Sequence, residues 1–295
     1  MDRAKSTLEQ WRILQAVVDF GGYAQAAEQL NKSQSSLNHA VAKLQQQLGV
    51  SLLEVHGRKA QLTASGEVLL RHSRHVTQSV NHLESLASNL HKGWEPTLTL
   101  AREIIYPMDD LINALDAFLP QSRGTRITIL DSVITGTQEL IKEQTVDLVI
   151  CGGVPPKGYL AEPLCDVFFL LVCHPSHPLA ETPHIEDDKI LAEHLQVVIK
   201  DTARNETSDL GWLKAEQRWT VSNFHEAIKI LKKGIGFCWI PSHLIDTELA
   251  QDELTQLTLQ GSSQRKAMLS LVIPDRDKQG PASKLLESLI LEQHQ

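Results

Sequence analysis

Hydrophobic residues in the segment 34–48 recur with the period of an α-helix. Leu37, Val41, Leu44 and Leu48 stand at i, i+4, i+7 and i+11, which places them in one stripe on a helix of about 3.6 residues per turn. The opposite side carries small or hydrogen-bonding side chains and no acid. This pattern predicts a helix that packs through its leucines and turns the other face outward.

A shorter helical pattern, Tyr23–Leu30, precedes this helix, and Asn31-Lys32-Ser33 separates the two. Ser33 is a typical N-cap residue for the second helix. Residues 52–62 then have the pattern of a short hairpin with His56-Gly57 at its tip and Arg58-Lys59 just beyond. The sequence therefore predicts a helix-turn-helix followed by a basic-tipped β-hairpin, here called the wing.

From Thr63, a predicted N-cap, to Lys92 there is no proline and no glycine after Gly66, so one long helix is expected. Positions that step by four and three residues have the spacing of a heptad seam with one polar member, Ser73, and one small member, Ala87; they are 69, 73, 76, 80, 83, 87 and 90. A seam of this kind predicts a coiled-coil dimer, while a long helix packed on its own domain is the alternative. The predicted dimerisation residues are Leu69, Val76, Val80, Leu83 and Leu90.

Gly93-Trp94-Glu95-Pro96 ends the helix, and strands then alternate with helices to the C-terminus. Such alternation with apolar strands predicts doubly wound parallel sheets in an α/β domain. The expected organisation is a winged helix-turn-helix domain at 1–62, a linker helix at 63–92 and an α/β domain at 93–295. Within the last, subdomain I covers about 97–164 and 267–295, and subdomain II about 165–266.

Ligands of open α/β sheets bind beyond the carboxyl ends of the strands, where helix N-termini present free amides. Arg102 stands at such a place and would suit a carboxylate, although Glu103 beside it could equally neutralise it. Neighbouring isoleucines and valines suggest that part of the ligand is apolar. The candidate effector-binding residues are Arg102, Glu103, Ile104, Ser132, Val133, Thr135, Asp201, Thr202 and Asn223.

Charge sharpens the interpretation of the first domain. The chain of 295 residues carries a net charge of −8, yet residues 1–90 hold nine Lys or Arg against seven Asp or Glu, and residues 29–53 hold no acid at all. An acid-free helix-turn-helix is typical of a surface that meets a polyanion such as duplex DNA. A three-helix bundle with a merely solvated polar face is the alternative. The candidate DNA-binding residues are Lys32, Ser33, Gln34, Ser35, Ser36, Asn38, His39, Lys43, Gln46, Arg58 and Lys59.

The sequence contains few signs of catalytic, cofactor-binding, metal-binding or membrane-spanning segments. The sequence has no GxGxxG, GxxxxGK[ST], GxSxG or HExxH motif, so we expect no enzyme and no cofactor. The four cysteines have no zinc-like spacing, which predicts reduced thiols and no metal site, with a redox switch through Cys165 and Cys173 as an open alternative. The longest apolar run, Val167–Cys173, is too short to span a bilayer, and no apolar N-terminal segment precedes the first helix. A cytoplasmic protein without membrane contact is expected.

The N-terminal motifs resemble those of the LysR-type transcriptional regulators. The resemblance rests on the stretch 21–30 (GGYAQAAEQL), on 33–37 (SQSSL), on Leu44 with Leu48-Gly49, on Leu52 with Arg58, and on Leu62-Thr63 with Gly66. Gly234–Pro241 and His177–Ala180 resemble the periplasmic-binding-protein-like effector domain of the same family. The chain departs from the family pattern at Asn38, Gln45 and Leu53, and at Val55, where the family generally keeps an arginine for the DNA backbone.

This resemblance implies a fold and a function. The 33–48 helix would enter the major groove, the linker helix would form the dimer contact, and a small-molecule effector would bind between two subdomains. The expected partners are double-stranded DNA, the effector and a second copy of the chain, as a homodimer or homotetramer, with RNA polymerase as a conceivable further partner. A solute-binding or sensory protein with a vestigial DNA-binding head is the alternative.

Overall fold

The computed structural model describes residues 4–56, 59–181, 184–204, 214–260 and 264–295. Contacts divide the chain into a first unit at 1–91 and a second at 92–295. The first unit contains α1 (Leu8–Asp19), α2 (Tyr23–Gln29), α3 (Gln34–Leu48), the strands β1 (Leu53–His56) and β2 (Lys59–Leu62), and the long helix α4 (Ala64–His91).

The predicted stripe of α3 forms the centre of the first unit. Leu37, Val41 and Leu44 are fully buried against α1, where Leu14 is also fully buried, while Leu48 is only partly covered. The helix begins after Ser33, whose Oγ accepts a hydrogen bond from the Ser36 amide at 3.2 Å. It ends at Gly49, whose φ of 73° is the left-handed conformation that glycine adopts at low cost. The predicted bounds of α3 and its N-cap are confirmed.

The second unit alternates strands and helices along the chain. Its strands are β3 (Thr97–Glu103), β4 (Arg126–Ser132), β5 (Leu148–Gly152), β6 (Ala161–Cys173), β7 (His184–Ile185), β8 (Gln196–Ile199), β9 (Arg218–Val221), β10 (Phe237–Pro241), β11 (Thr255–Leu259) and β12 (Gln264–Val272). Its helices are α5 (Met108–Phe118), α6 (Thr135–Glu143), α7 (Lys189–Ala192), α8 (Phe224–Leu231), α9 (Asp246–Ala250) and α10 (Pro281–Glu292).

Eight of the strands follow one another in a single path, β4-β3-β5-β12-β6-β10-β8-β9. Parallel pairing holds within β4-β3-β5 and within β10-β8-β9, as the β/α alternation predicts. The prediction of purely parallel sheets is wrong at the centre, where β12 runs antiparallel to both β5 and β6, and β10 runs antiparallel to β6. The long strands β6 and β12 therefore carry the chain between the two parallel halves and join them into one mixed sheet.

Helices cover the sheet and place its strand ends around a cleft. Leu111 of α5, Leu286 of α10 and Leu231 of α8 are fully buried in one large core, and Ile141 of α6 is fully buried in another beside β3 and β5. The edge strand β9 was not predicted, because three of its four residues are exposed and it lacks an apolar run.

Candidate DNA-binding face and effector cavity

The outer face of α3 is open to solvent. All the predicted α3 contact residues are exposed in the first unit, as are Lys32 and Ser33 before the helix; they are Gln34, Ser35, Ser36, Asn38, His39, Lys43 and Gln46. None of the ion pairs found among the described residues involves a side chain of α3. The small Ala42 is exposed between them, so a duplex could approach the helix closely.

Lys32 differs from the other candidates on this face. Its ammonium group forms an ion pair with Glu9 of α1, and both side chains remain more than a third exposed. An exposed pair of this kind contributes little stability. Lys32 is therefore already paired with an acid of the first unit, whereas Lys43 has no ion-pair partner among the described residues.

Two polar contacts hold α3 in its orientation. Gln10 of α1 donates through Nε2 to Oε1 of Gln47 at 2.9 Å. Gln45 accepts hydrogen bonds through Oε1 from the amides of Leu52 at 2.7 Å and Leu53 at 3.1 Å. The second contact ties the C-terminal part of α3 to the start of the wing through the neutral side chain of Gln45.

The wing itself is the predicted hairpin. Strands β1 and β2 pair antiparallel, with Leu53 opposite Leu62 and His56 opposite Lys59. Arg58 lies outside the described residues, and so does the side chain of Lys59. Their assignment to the DNA surface stays a prediction.

The long helix α4 divides its surface between two stripes. Leu70, Ser73 and Thr77 are buried against α1, and Gln15 contacts both hydroxyl groups. Ser73 was expected on the dimer seam, so that part of the prediction is wrong: the first turns of α4 pack on their own domain. Farther along, the seam is exposed, at 55% for Val76, 61% for Leu83 and 46% for Leu90. Leu69 and Val80 are intermediate.

A cavity of about 400 Å³ opens in the second unit between the two parallel halves of its sheet. Its wall is mainly apolar, and Glu103, Ile104 and Val133 of the predicted effector residues belong to it. The other lining side chains include Ile105, Ile134, Phe169, Val197, Ile199, Phe224, Trp239 and Arg265. A volume of this size is in the range of small-molecule sites.

Arg102 does not line the cavity, so the expectation that it receives an anion there is wrong. Adjacent residues of a strand point to opposite faces, and Arg102 turns toward its cross-strand neighbour Asp131, with Nε to Oδ1 at 2.7 Å. Its Nη1 donates to the Tyr106 carbonyl at 3.2 Å. Neutralisation by Glu103, the alternative reading, is also wrong, because Asp131 supplies the carboxylate.

Glu103 is the buried acid of the cavity wall. It is 4% exposed, and its carboxylate accepts hydrogen bonds from the Ile134 amide at 3.1 Å and from Oγ1 of Thr137 at 2.7 Å. Burial raises its pKa to about 7, against the lowering effect of these hydrogen bonds. Ile134, whose amide donates to Glu103, has a φ of 48°, which is an uncommon backbone conformation for a β-branched residue.

The N-terminus of α6 is already occupied by an acid of the chain itself. Asp201 accepts hydrogen bonds from the Gly136 amide at 3.1 Å and the Thr135 amide at 3.4 Å. Thr202 accepts one from the Val133 amide at 2.9 Å. We call these three contacts the α6 latch. They replace the free amides that the sequence led us to expect at this helix, and they join the segment after β8 to the segment after β4.

The remaining candidates have structural partners. Ser132 is 1% exposed and donates through Oγ to the Arg102 carbonyl at 3.1 Å. Asn223 caps α8, with Oδ1 accepting from the Glu226 amide at 3.0 Å. Neither lines the cavity, nor do Thr135, Asp201 and Thr202. Sequence reasoning missed Phe169, Trp239 and Arg265, which lie on the middle strands β6, β10 and β12 and not at the carboxyl ends of the parallel strands.

The cysteines do not form the redox pair left open by the sequence. Cys165 and Cys173 belong to the same strand β6, so eight residues of extended chain separate them by roughly 26 Å. A disulfide needs Cα atoms within about 7 Å. Burial also raises the pKa of each of these thiols to about 11, which disfavours the reactive thiolate.

Metal clusters and membrane-spanning helices are both absent from the described part of the chain. No group of three or more His, Cys, Asp or Glu side chains there is suited to a metal. No helix among those residues is long and apolar enough to cross a membrane.

Two family models match the chain. The model described as "Bacterial regulatory helix-turn-helix protein, lysR family" matches residues 8–67, and "LysR substrate binding domain" matches residues 91–295. The HTH-type transcriptional regulator YeeY of Escherichia coli (strain K12) is 29% identical, over 81% of this chain and 79% of that protein. The RuBisCO operon transcriptional regulator of Allochromatium vinosum is 26% identical, over 97% and 96%.

The similarity extends to solved structures. CrgA, a LysR-type transcriptional regulator from Neisseria meningitidis, superposes with a TM-score of 0.51 over 100% of both chains, at 21% sequence identity. A match at this identity supports the fold, with the helix-turn-helix unit first and the α/β unit second.

Proposed function

The chain belongs to the LysR family of helix-turn-helix transcriptional regulators, and we propose that it reads duplex DNA with the outer face of α3 and adjusts that binding to a ligand in the cavity of its second unit. DNA binding and an effector-binding domain are properties of the family. The residues that perform each task in this chain are the proposal.

One observation carries the DNA-binding part. The leucine stripe of α3 is fully buried at three positions, so the opposite face, which has no acid, is fixed outward by the core. His39, Lys43 and Gln46 are exposed there and reach out past the small Ala42. Side chains of these types can hydrogen-bond base edges or phosphates in a major groove.

The exposed seam of α4 supports self-association. A single helix with Val76, Leu83 and Leu90 in solvent would gain by pairing its seam with that of a second copy. Paired heads match the two half-sites of a palindromic operator. A homodimer is the minimal assembly, and a tetramer would pair two such dimers.

Effector binding would be coupled to DNA binding if the ligand binds two states of the cleft with different affinities. The α6 latch is a contact that can differ between such states, since it joins segments from the two parallel halves of the sheet. A change there would alter the spacing of the DNA-binding heads. The protein would act in the cytoplasm, where the operator and RNA polymerase, a further partner, are present.

Lys43→Ala tests the DNA-binding face directly. Duplexes selected by the purified full chain from a random pool supply the probe, and binding is measured at several salt concentrations. Loss of one phosphate contact should weaken binding and reduce the slope of log affinity against log salt by about one. Arg58→Ala should behave in the same way if the wing contacts the backbone.

Lys142→Ala, in the last turn of α6, is the matched control because it removes the same charge from the second unit. Equal affinity and slope for Lys43→Ala, Arg58→Ala and wild type would contradict the proposed surface. Failure of the full chain to select any duplex would instead favour a sensory protein with a vestigial head.

A further inference from the structure

Among the described residues that line the cavity, Arg265 is a cation without a carboxylate partner. Arg265 lines the wall from β12 and forms no ion pair with any acid of the described residues. Its guanidinium lies over the ring of Trp239, with Cζ 4.2 Å from the ring centroid. The neighbouring Lys266 is different, because its ammonium group is paired with Asp166 at 2.6 Å. The position of Arg265 is thus set by an aromatic plane and leaves its N–H donors available.

The sheet brings these side chains together on one face. Arg265 stands opposite Phe169 of β6, and Trp239 of β10 stands opposite Leu171, two residues farther along the same strand. Cross-strand partners share a face, and so do residues two apart in a strand. The indole Nε1 of Trp239 is buried without an acceptor. Two groups that only donate hydrogen bonds are therefore adjacent here.

The other groups that the sequence suggested for an anion are already paired within the protein. Arg102 is paired with Asp131, and the amides at the start of α6 are taken by Asp201 and Glu103. Glu103 is the one acid among the described lining residues, and it would repel a second negative charge placed beside it. The rest of the wall is formed mainly by isoleucine, valine and phenylalanine side chains.

On these observations, and resting on the proposed function, we propose that the effector is an organic monoanion with an apolar body, whose anionic group binds the Arg265 guanidinium beside Trp239. A carboxylate is the plainest member of this class, since its two oxygens match the donors of a guanidinium. The apolar body would contact Ile104 and Val133 on the opposite parallel half.

The class of ligand is tested with a series of small molecules that share an apolar body and differ in the polar group attached to it. The full chain is titrated with carboxylates from butanoate to decanoate and with phenylacetate, and in parallel with the matched amides, the matched amines and the dicarboxylate adipate. Melting temperature and tryptophan fluorescence are recorded. Carboxylates should raise the melting temperature most, because a ligand stabilises the state that it binds. A larger effect of the amines would overturn the proposal in favour of recognition by Glu103.

Arg265→Gln tests the residue. It should weaken carboxylate binding by about tenfold or more, the usual cost of losing a charge-assisted contact. Arg218→Gln, on the exposed edge strand β9, removes the same charge and should leave the affinity unchanged. If Lys266→Gln abolishes carboxylate binding while Arg265→Gln does not, the assigned cation is wrong.

These experiments distinguish a failure of the monoanion proposal from a failure of the proposed DNA-binding function. DNA binding that depends on Lys43, together with no stabilisation by any carboxylate, would overturn the monoanion proposal and leave the DNA-binding proposal intact. Carboxylate binding lost in Arg265→Gln, with DNA binding insensitive to Lys43, would support the monoanion proposal and contradict the proposed DNA surface.

Discussion

The polar groups of the two units are arranged in opposite ways. On α3, Ser35, His39 and Lys43 point into solvent, and the helix has no carboxylate that could pair with them. Around the cavity of the second unit, Glu103 and Asp201 are hydrogen-bonded to the chain's own amides. The first arrangement leaves groups free for a large partner, and the second uses most of them to hold the protein together.

This difference follows from the partners. Duplex DNA is a surface that a protein meets with groups already in water, so leaving them unpaired in the free protein has no cost. A buried polar group without a partner costs free energy, so a small-molecule cavity is expected to contain few of them. Polar groups of the cavity that have no partner among the described residues, such as Arg265, therefore indicate the chemistry of the ligand better than polar groups that are already hydrogen-bonded within the protein.

Leu83→Glu should produce the largest effect, in the first unit. Leu83 is 61% exposed in the single chain, so a charge there leaves the monomer folded but places an unpaired carboxylate in the proposed seam. We expect dissociation in sedimentation experiments and a fall in affinity for a palindromic duplex on the order of 100-fold, because the second head no longer binds intramolecularly. Gln78→Glu, exposed away from the seam, should change neither. A mass unchanged from wild type for Leu83→Glu would refute the seam.

The first unit could be predicted from the sequence because its pattern is local. The positions of Leu37, Val41 and Leu44 depend on a period of 3.6 residues, and that period alone determines which side chains face outward. The failure at Ser73 has a different origin. Its burial depends on Gln15, 58 residues away, and no local pattern encodes that contact.

The cavity could be predicted only in part, because its contacts join distant residues. Strand ends indicated Glu103, Ile104 and Val133, which do line it. The hydrogen bond from the Gly136 amide to Asp201 joins residues that are 65 positions apart in the sequence. The ion pair between Arg102 and Asp131 joins residues 29 positions apart. Arg265 lies near the start of β12, where three successive polar residues form no apolar run that would mark a strand. The first two errors concern which polar groups pair in three dimensions, and the third concerns where a strand begins.

The titration of Glu103 should be the next largest effect. Its pKa is about 7 in the folded protein and 4.5 ordinarily, so the folded state holds this proton more tightly than the unfolded state. The resulting stabilisation is fully present below pH 4.5 and is lost as the pH rises to about 7. For a nearly buried group this amounts to at most ~3 kcal/mol.

Glu103→Gln stays neutral over this range and should lack that loss. Urea unfolding of both proteins between pH 4.5 and 7.5 gives the difference in the free energy of unfolding. All other titratable groups are common to both proteins, so the difference isolates Glu103. Parallel profiles would show that its burial does not disfavour the charged form.

Gly136→Ala should have a smaller effect, because it opposes the α6 latch without removing a charge. An added Cβ would lie 2.1 Å from Oγ1 of Thr202 and 2.8 Å from the Ala203 amide nitrogen, so the two segments must separate. Overpacking of this kind costs about 2 kcal/mol. We expect a lower urea midpoint for the second unit and faster hydrogen exchange at the amides of Val133 and Gly136, which the latch protects.

Gly152→Ala is the matched control, since its added Cβ would meet its nearest neighbour, Cγ of Glu103, at 3.5 Å, an ordinary contact distance. It should retain the wild-type exchange rates at the latch. If Gly136→Ala also leaves those rates unchanged, then the contacts of Asp201 and Thr202 do not hold the two segments together. The contrast between the two units would then rest on the hydrogen bonds of Glu103 to Ile134 and Thr137 alone.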